Sequence, residues 1–175
     1  MSKGKIIALV LSILLIIGGG ILFSPSKTVL AVSNRKNPKQ RIYSVQAVKD
    51  GFVISYTHSV NKGRIHDYYE CEQAENALVL KSMHFVSYGA GIPEPDEYPG
   101  ANFIALEDCY IISNINRVIP SLVMAVGVIA EHSFAINKKD SSEIFLTEYF
   151  APQTSLIIKL EKVSLVEYWT RNIDK

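Results

Sequence analysis

Residues 41–59 read RIYSVQAVKDGFVISYTHS, and this stretch decides the fold class. In RIYSVQAV the residues Tyr43, Val45 and Ala47 fall on one side of an extended chain and polar residues fall between them. FVISYT (52–57) follows at once and is rich in β-branched and aromatic residues,. Between the two runs, Lys49-Asp50-Gly51 carries an Asp-Gly step suited to the positive φ of a tight hairpin turn,. The expectation is a β-hairpin over 41–57.

The chain continues in the same way outward from that centre. TVLAV (28–32) is short and apolar. RIHDYYECE (64–72) and LVLKSMHFVSY (78–88) read as strands joined by a turn at Glu75–Ala77. CYIISNI (109–115) is β-branched, and the even positions from Leu122 to Ile136 alternate as one strand or as two bent at Gly127,. EIFLTEYF (143–150) reads as a strand or one helical turn. SLIIKLEKV (155–163) places Leu156, Ile158 and Leu160 on one face with Lys159 and Glu161 on the other. GAGIPEPDEYPGAN (89–102) is a loop, because its glycines and prolines exclude regular structure,. About 8–10 strands with few helical periods indicate an all-β domain, a single sandwich or a small barrel-like sheet.

The amino-terminal end is different in kind. A basic start with Lys3 and Lys5 leads into an uncharged, almost wholly apolar run from Ile6 to Phe23. As a helix that run is about 27 Å long, close to the thickness of a bilayer's hydrocarbon core. It exceeds the usual apolar core of a cleaved signal peptide, which favours an uncleaved signal-anchor. The expected organisation is a signal-anchor or transmembrane helix over 1–26, a first strand and basic collar over 27–41, and an all-β domain over 42–175. Lys27, Arg35, Lys36, Lys39 and Arg41 make the collar basic, and a simple count of flanking positive charge argues for a cytoplasmic domain,. The short basic start followed by an apolar run is instead the form of an export signal, and the collar's charges sit mostly far from the helix. The expectation is therefore a single-pass protein of the cell membrane with an extracytoplasmic domain.

Composition bounds the partners. Residues 42–175 hold more acidic than basic side chains, with a net charge of −6. Nucleic-acid phosphates need clustered positive charge, so nucleic acid is excluded as a partner. Cys71 and Cys109 stand at polar–apolar boundaries in YYECEQ and LEDCYII. They make either one disulfide in an oxidising space or two buried thiols. Their spacing matches no zinc or redox motif.

Few residues are candidates for chemistry. His58 and Ser59 are adjacent at a strand end, but neighbouring strand side chains point to opposite faces, so His58 is poorly placed to activate Ser59. A G-x-S-x-G elbow is lacking as well. No catalytic residue is expected, and the chain is read as a non-enzyme. His58, His66 and His84, with Asp67 and Glu70, are potential metal ligands without metal-like spacing. No metal or cofactor is expected, and His132 reads as a satisfied core imidazole. Gly89-Ala90-Gly91-Ile92-Pro93 permits close backbone approach but lacks the Lys and Ser/Thr of a phosphate loop.

Taken together, Tyr56-x-His58-Ser59-Val60 and, about thirty residues on, Ser87-x-Gly89-Ala90-Gly91-Ile92-Pro93 resemble a family of small bacterial membrane-associated proteins of unknown function, encoded beside TAXI-type TRAP transporters. The resemblance runs over most of residues 28–163. In the family pattern His-Ser-Val leads into a Thr-Pro step and then an acidic residue. Here Gly63-Arg64 stands in place of the step, and Asp67 supplies the acid. The resemblance implies an accessory of solute uptake that contacts the transporter permease or its solute-binding protein. The candidate binding corner is Tyr56, His58, Ser59, Asp67, Gly89, Ala90, Gly91 and Pro93. The alternative is a small-molecule or metal-binding β-module using the same corner, and a hydrolase is the weakest reading.

Overall fold

The computed structural model describes residues 2–87, 92–94 and 96–174. Helix α1 (Lys3–Phe23) is followed by β1 (Lys27–Asn34), β2 (Arg41–Ser44), the one-turn helix α2 (Gln46–Asp50), β3 (Phe52–Thr57), β4 (Arg64–Glu72) and β5 (Ala77–Phe85). Then come β6 (Asn102–Ala105), β7 (Tyr110–Ile119), β8 (Leu122–Ala125), β9 (Ser133–Ile136) and β10 (Ile144–Phe145). A 3-10 turn at Leu146–Glu148, β11 (Ser155–Val163) and α3 (Leu165–Arg171) complete the chain.

The strands form a sandwich of two antiparallel sheets. The smaller has the order β2-β1-β11-β8 and the larger β10-β9-β3-β4-β5-β7-β6. This is the expected all-β architecture in its sandwich form, behind an apolar amino-terminal helix. Alternation builds the core. Leu30, Val32, Leu156, Ile158 and Leu160 from the smaller sheet meet Phe52, Ile54, Leu78, Phe85, Ile112 and Phe134 from the larger,. Phe52 stacks on Tyr69 and on Phe134, with ring centroids 5.0 and 5.7 Å apart,. A second, smaller cluster of Val29, Ala31, Tyr43 and Val163 lies on the other face of the smaller sheet, where Tyr168 of α3 packs against it.

The hairpin expected over 41–57 is not formed. β2 pairs with β1 in the smaller sheet, and β3 pairs with β4 and β9 in the larger. The cause lies far along the chain. The Asp174 carboxylate accepts hydrogen bonds from the amides of Val45 and Gln46 and from the Ser44 hydroxyl. Ser44 Oγ in turn accepts from the Ala47 amide. These contacts cap a helical turn whose Ala47 and Val48 are buried,. Gly51, at φ 79°, then turns the chain into β3. What reads as a hairpin turn is a crossover between sheets.

The alternating run Leu122–Ile136 is likewise divided between sheets, with β8 beside β11 and β9 beside β3. The break falls at Gly127, where an added Cβ would meet the Ala130 Cβ at 2.7 Å. CYIISNI extends to Ile119, EIFLTEYF holds both the short strand and the turn, and β6 and α3 had no sequence signal strong enough to place them.

Helix α1 leads into this sandwich and approaches it at α3. It has no buried residue, and among the described residues it is the one helix long and apolar enough to cross a membrane.

Candidate functional site

The His58–Ser59 corner is a turn held together by its own backbone. The His58 amide donates to the Gly63 carbonyl at 2.9 Å, and the Lys62 amide donates to the His58 carbonyl at 3.1 Å. His58 Nδ1 accepts from the amides of Val60 and Asn61, both at 3.3 Å. With Nδ1 occupied as an acceptor, the proton of the neutral ring sits on Nε2. Asn61 closes the turn by accepting from the Gly63 amide and donating to the Ser87 carbonyl. A Cβ at Gly63 would come within 2.5 Å of Val86 Cγ2, so a side chain there would have to displace the exposed Val86. His58 is therefore buried as a turn cap, whereas Ser59 is exposed and its carbonyl accepts from Lys62 Nζ,. Gly89, Ala90 and Gly91 lie outside the described residues; Ile92 is buried in the core and Pro93 is partly buried.

Tyr56 and Asp67 are brought together on the inner face of the larger sheet. Tyr56 faces Ile65 across the β3–β4 ladder, and Asp67 lies two residues further along, on the same side,. One Asp67 oxygen, Oδ1, is buried with no hydrogen-bond partner among the described residues. Burial pushes its carboxyl up to about 7,. The tyrosines around it respond to burial and to that acid. Tyr56 and Tyr69 are both raised above the ordinary phenol value, first by desolvation and then by Asp67, with Tyr98 adding to both. Tyr56 also stacks on His132 at 5.6 Å, and His132 Nδ1 accepts from the Gly127 amide. That is the satisfied imidazole expected there. Among the described residues no hydrogen bond joins His58 to Asp67: His58 caps its turn, and Tyr56 and Asp67 belong to an acid–tyrosine cluster.

A second constellation lies on the outer face of the same sheet. Ladder register sets Ser133 opposite Ser55, Ser55 opposite His66 and His66 opposite His84, a polar row across β9, β3, β4 and β5. Ser55 Oγ and His66 Nδ1 are 2.8 Å apart. Beside them Arg64 pairs with Glu143 at 3.0 Å and donates to Ser133 Oγ at 2.7 Å, while Ser133 Oγ donates to Glu143 at 2.9 Å. Burial, aided by Arg64 and opposed by Glu143, holds the His66 imidazole below its ordinary value. Burial and the neighbouring His66 do the same to His84. Both rings are thus neutral at pH 7. The Tyr68 ring leans on His84 with centroids 4.4 Å apart.

His66 and Tyr68 line an open groove of about 390 Å³ together with Ser55, Val53, Lys138 and Glu143. Ser55 is only 1% exposed, so its hydroxyl is poorly reached by a substrate. Its evident work is to orient the imidazole, which leaves His66 Nε2 without a hydrogen-bond partner among the described residues. A neutral, oriented ring nitrogen in a groove of this size suits recognition of a hydrogen-bonding group or ligation of a metal. Among the described residues, no three His, Cys, Asp or Glu side chains are grouped to hold a metal ion. Sequence reading missed this pair because its members are eleven residues apart. The signal was the turn itself: folding the chain back at Asn61 sets Ser55 opposite His66.

Cys71 and Cys109 are both free cysteines in this structure. Cys71 faces Leu78 at one end of the β4–β5 ladder. Cys109 precedes Tyr110, which faces Phe85 at the other end. Burial raises the Cys71 thiol to about 12, and its Sγ donates to the Ala47 carbonyl.

A family model described as a domain of unknown function, DUF1850, covers residues 52–142, from the start of β3 to the loop before β10. No curated protein and no solved structure matches the chain. The matched span contains the His58 turn, Asp67 and the Ser55–His66 pair, and it leaves everything before β3 and everything from β10 onward outside. With more than half its length matched, the chain belongs to the DUF1850 family.

Proposed function

We propose that this protein is a membrane-anchored, extracytoplasmic binding domain that assists a TAXI-type TRAP solute transporter, contacting its permease or its solute-binding protein. The observation that carries the anchoring is α1, which carries no charge from Ile6 to Phe23, has no buried residue, and ends shortly before β1. The motifs around His58 and Gly89–Pro93 resemble the transporter-linked family, which supports the partner. A binding role rather than catalysis is supported by the burial of Ser55 and by the commitment of His58 Nδ1 to its turn. The test is affinity purification of the full chain in mild detergent after crosslinking in cells that express the transporter. Recovery of the permease or solute-binding protein is expected; recovery of neither contradicts the proposal.

A second reading is a small-molecule or metal-binding module, favoured by one observation, the oriented His66 in its groove. Native mass spectrometry and metal analysis of the purified protein address it. A bound species lost in His66→Ala supports this reading, and an empty protein whose stability no ligand or metal changes opposes it.

A further inference from the structure

Helix α3 begins where α1 ends. The Ser26 amide, just past α1, donates to the Val163 carbonyl at 3.1 Å, and Lys27 pairs with Val163 across the β1–β11 ladder. Residue 164 caps α3, with Ser164 Oγ accepting from the Glu167 amide. Cα atoms of α3 come within 8 Å of those of α1. Lys27 Nζ lies over the Tyr168 ring at 5.7 Å, which ties the first residue of β1 to the same short helix,.

The two sides of α3 have different surroundings. Tyr168 packs on the cluster of Val29, Ala31, Tyr43 and Val163. Glu167 is held by the Tyr43 hydroxyl at 2.7 Å and by Arg41 and Arg171. The next residue, Trp169, is 66% exposed. It is the chain's single tryptophan, placed on an element fastened to the foot of the apolar helix. Phe23, the last residue of α1, is likewise 69% exposed. Tryptophan at such a level partitions into the headgroup region, where its apolar ring body and its N–H are both satisfied.

We propose that α3 is a membrane-surface contact, with Trp169 seated in the lipid headgroup layer next to the exit of α1. This rests on the anchored reading above. The seat fixes the smaller sheet towards the bilayer and restrains how the sandwich tilts about the three-residue link between Phe23 and Lys27.

Because the chain has one tryptophan, its fluorescence reports this residue alone. The full chain is reconstituted into phosphatidylcholine vesicles, with and without lipid brominated near the headgroup end of its acyl chains, and vesicle flotation is measured in parallel. Expected are co-flotation, emission shifted to the blue of a water-exposed indole, quenching of about twofold or more by the brominated lipid, and protection from aqueous acrylamide. Co-flotation with unquenched, acrylamide-accessible emission overturns the Trp169 seat and leaves the anchor standing. Failure to float overturns the anchor itself, and the seat with it.

Discussion

Ser55 Oγ and His66 Nδ1 meet at 2.8 Å across neighbouring strands, beneath the loop that carries Lys138 and Glu143. The bond turns one histidine of a polar sheet row into a fixed group whose Nε2 has no hydrogen-bond partner among the described residues. It also sets the first prediction. Ser55→Ala removes a buried hydroxyl that holds the ring, at a cost of about 1 kcal/mol. A urea unfolding midpoint measures this, and an unchanged midpoint denies the bond any structural weight.

Asp67 gives a pH dependence whose sign is determined. Its carboxyl titrates near the ordinary 3.8 in the unfolded chain and at about 7 in the folded one, because burial disfavours the charge. Between those values the folded state binds more protons, so this group makes stability fall as pH rises from about 4 to about 7. Asp67→Asn is expected to flatten that slope and to be more stable than the parent at pH 8, by about 2 kcal/mol. Thermal unfolding across pH measures both. Parallel profiles for the two proteins contradict the assignment.

Asp174 is the cap that makes α2 a helix. Asp174→Ala leaves the Val45 and Gln46 amides and the Ser44 hydroxyl without their acceptor, at a cost of about 1–2 kcal/mol,. Hydrogen exchange at Ala47 to Gly51 is expected to accelerate. No change there means α2 holds without its distant cap.

Gly51 tolerates no side chain. It sits at φ 79°, and a Cβ would come within 2.6 Å of the Tyr69 carbonyl oxygen. Gly51→Ala is expected to destabilise by more than about 1 kcal/mol, through backbone strain and that contact together. A calorimetric melting temperature within error of the parent contradicts the crossover geometry.

What could be read from the chain follows from how local each cause is. Leu156, Ile158 and Leu160 share one face while Lys159 and Glu161 lie on the other, so β11 was visible from its own residues. Lys49-Asp50-Gly51 has the chemistry of a hairpin turn, yet the deciding partner, Asp174, is more than a hundred residues away. No local pattern carries that information. The same holds for chemistry. Adjacent His58 and Ser59 draw attention in a sequence, but a strand end separates their side chains. Ser55 and His66 become neighbours only through ladder register, and Tyr56 and Asp67 meet through the same pairing. Helix α3 was missed because seven residues give too short a window for helical periodicity to register,.

The most direct test of the anchored, extracytoplasmic account is labelling of one exposed residue in intact cells. Lys139→Cys, on the exposed loop after β9, is made in the full chain with Cys71 and Cys109 replaced by serine. A membrane-impermeant maleimide is expected to label it before lysis, in the membrane fraction. Labelling only after lysis places the domain in the cytoplasm and contradicts the account.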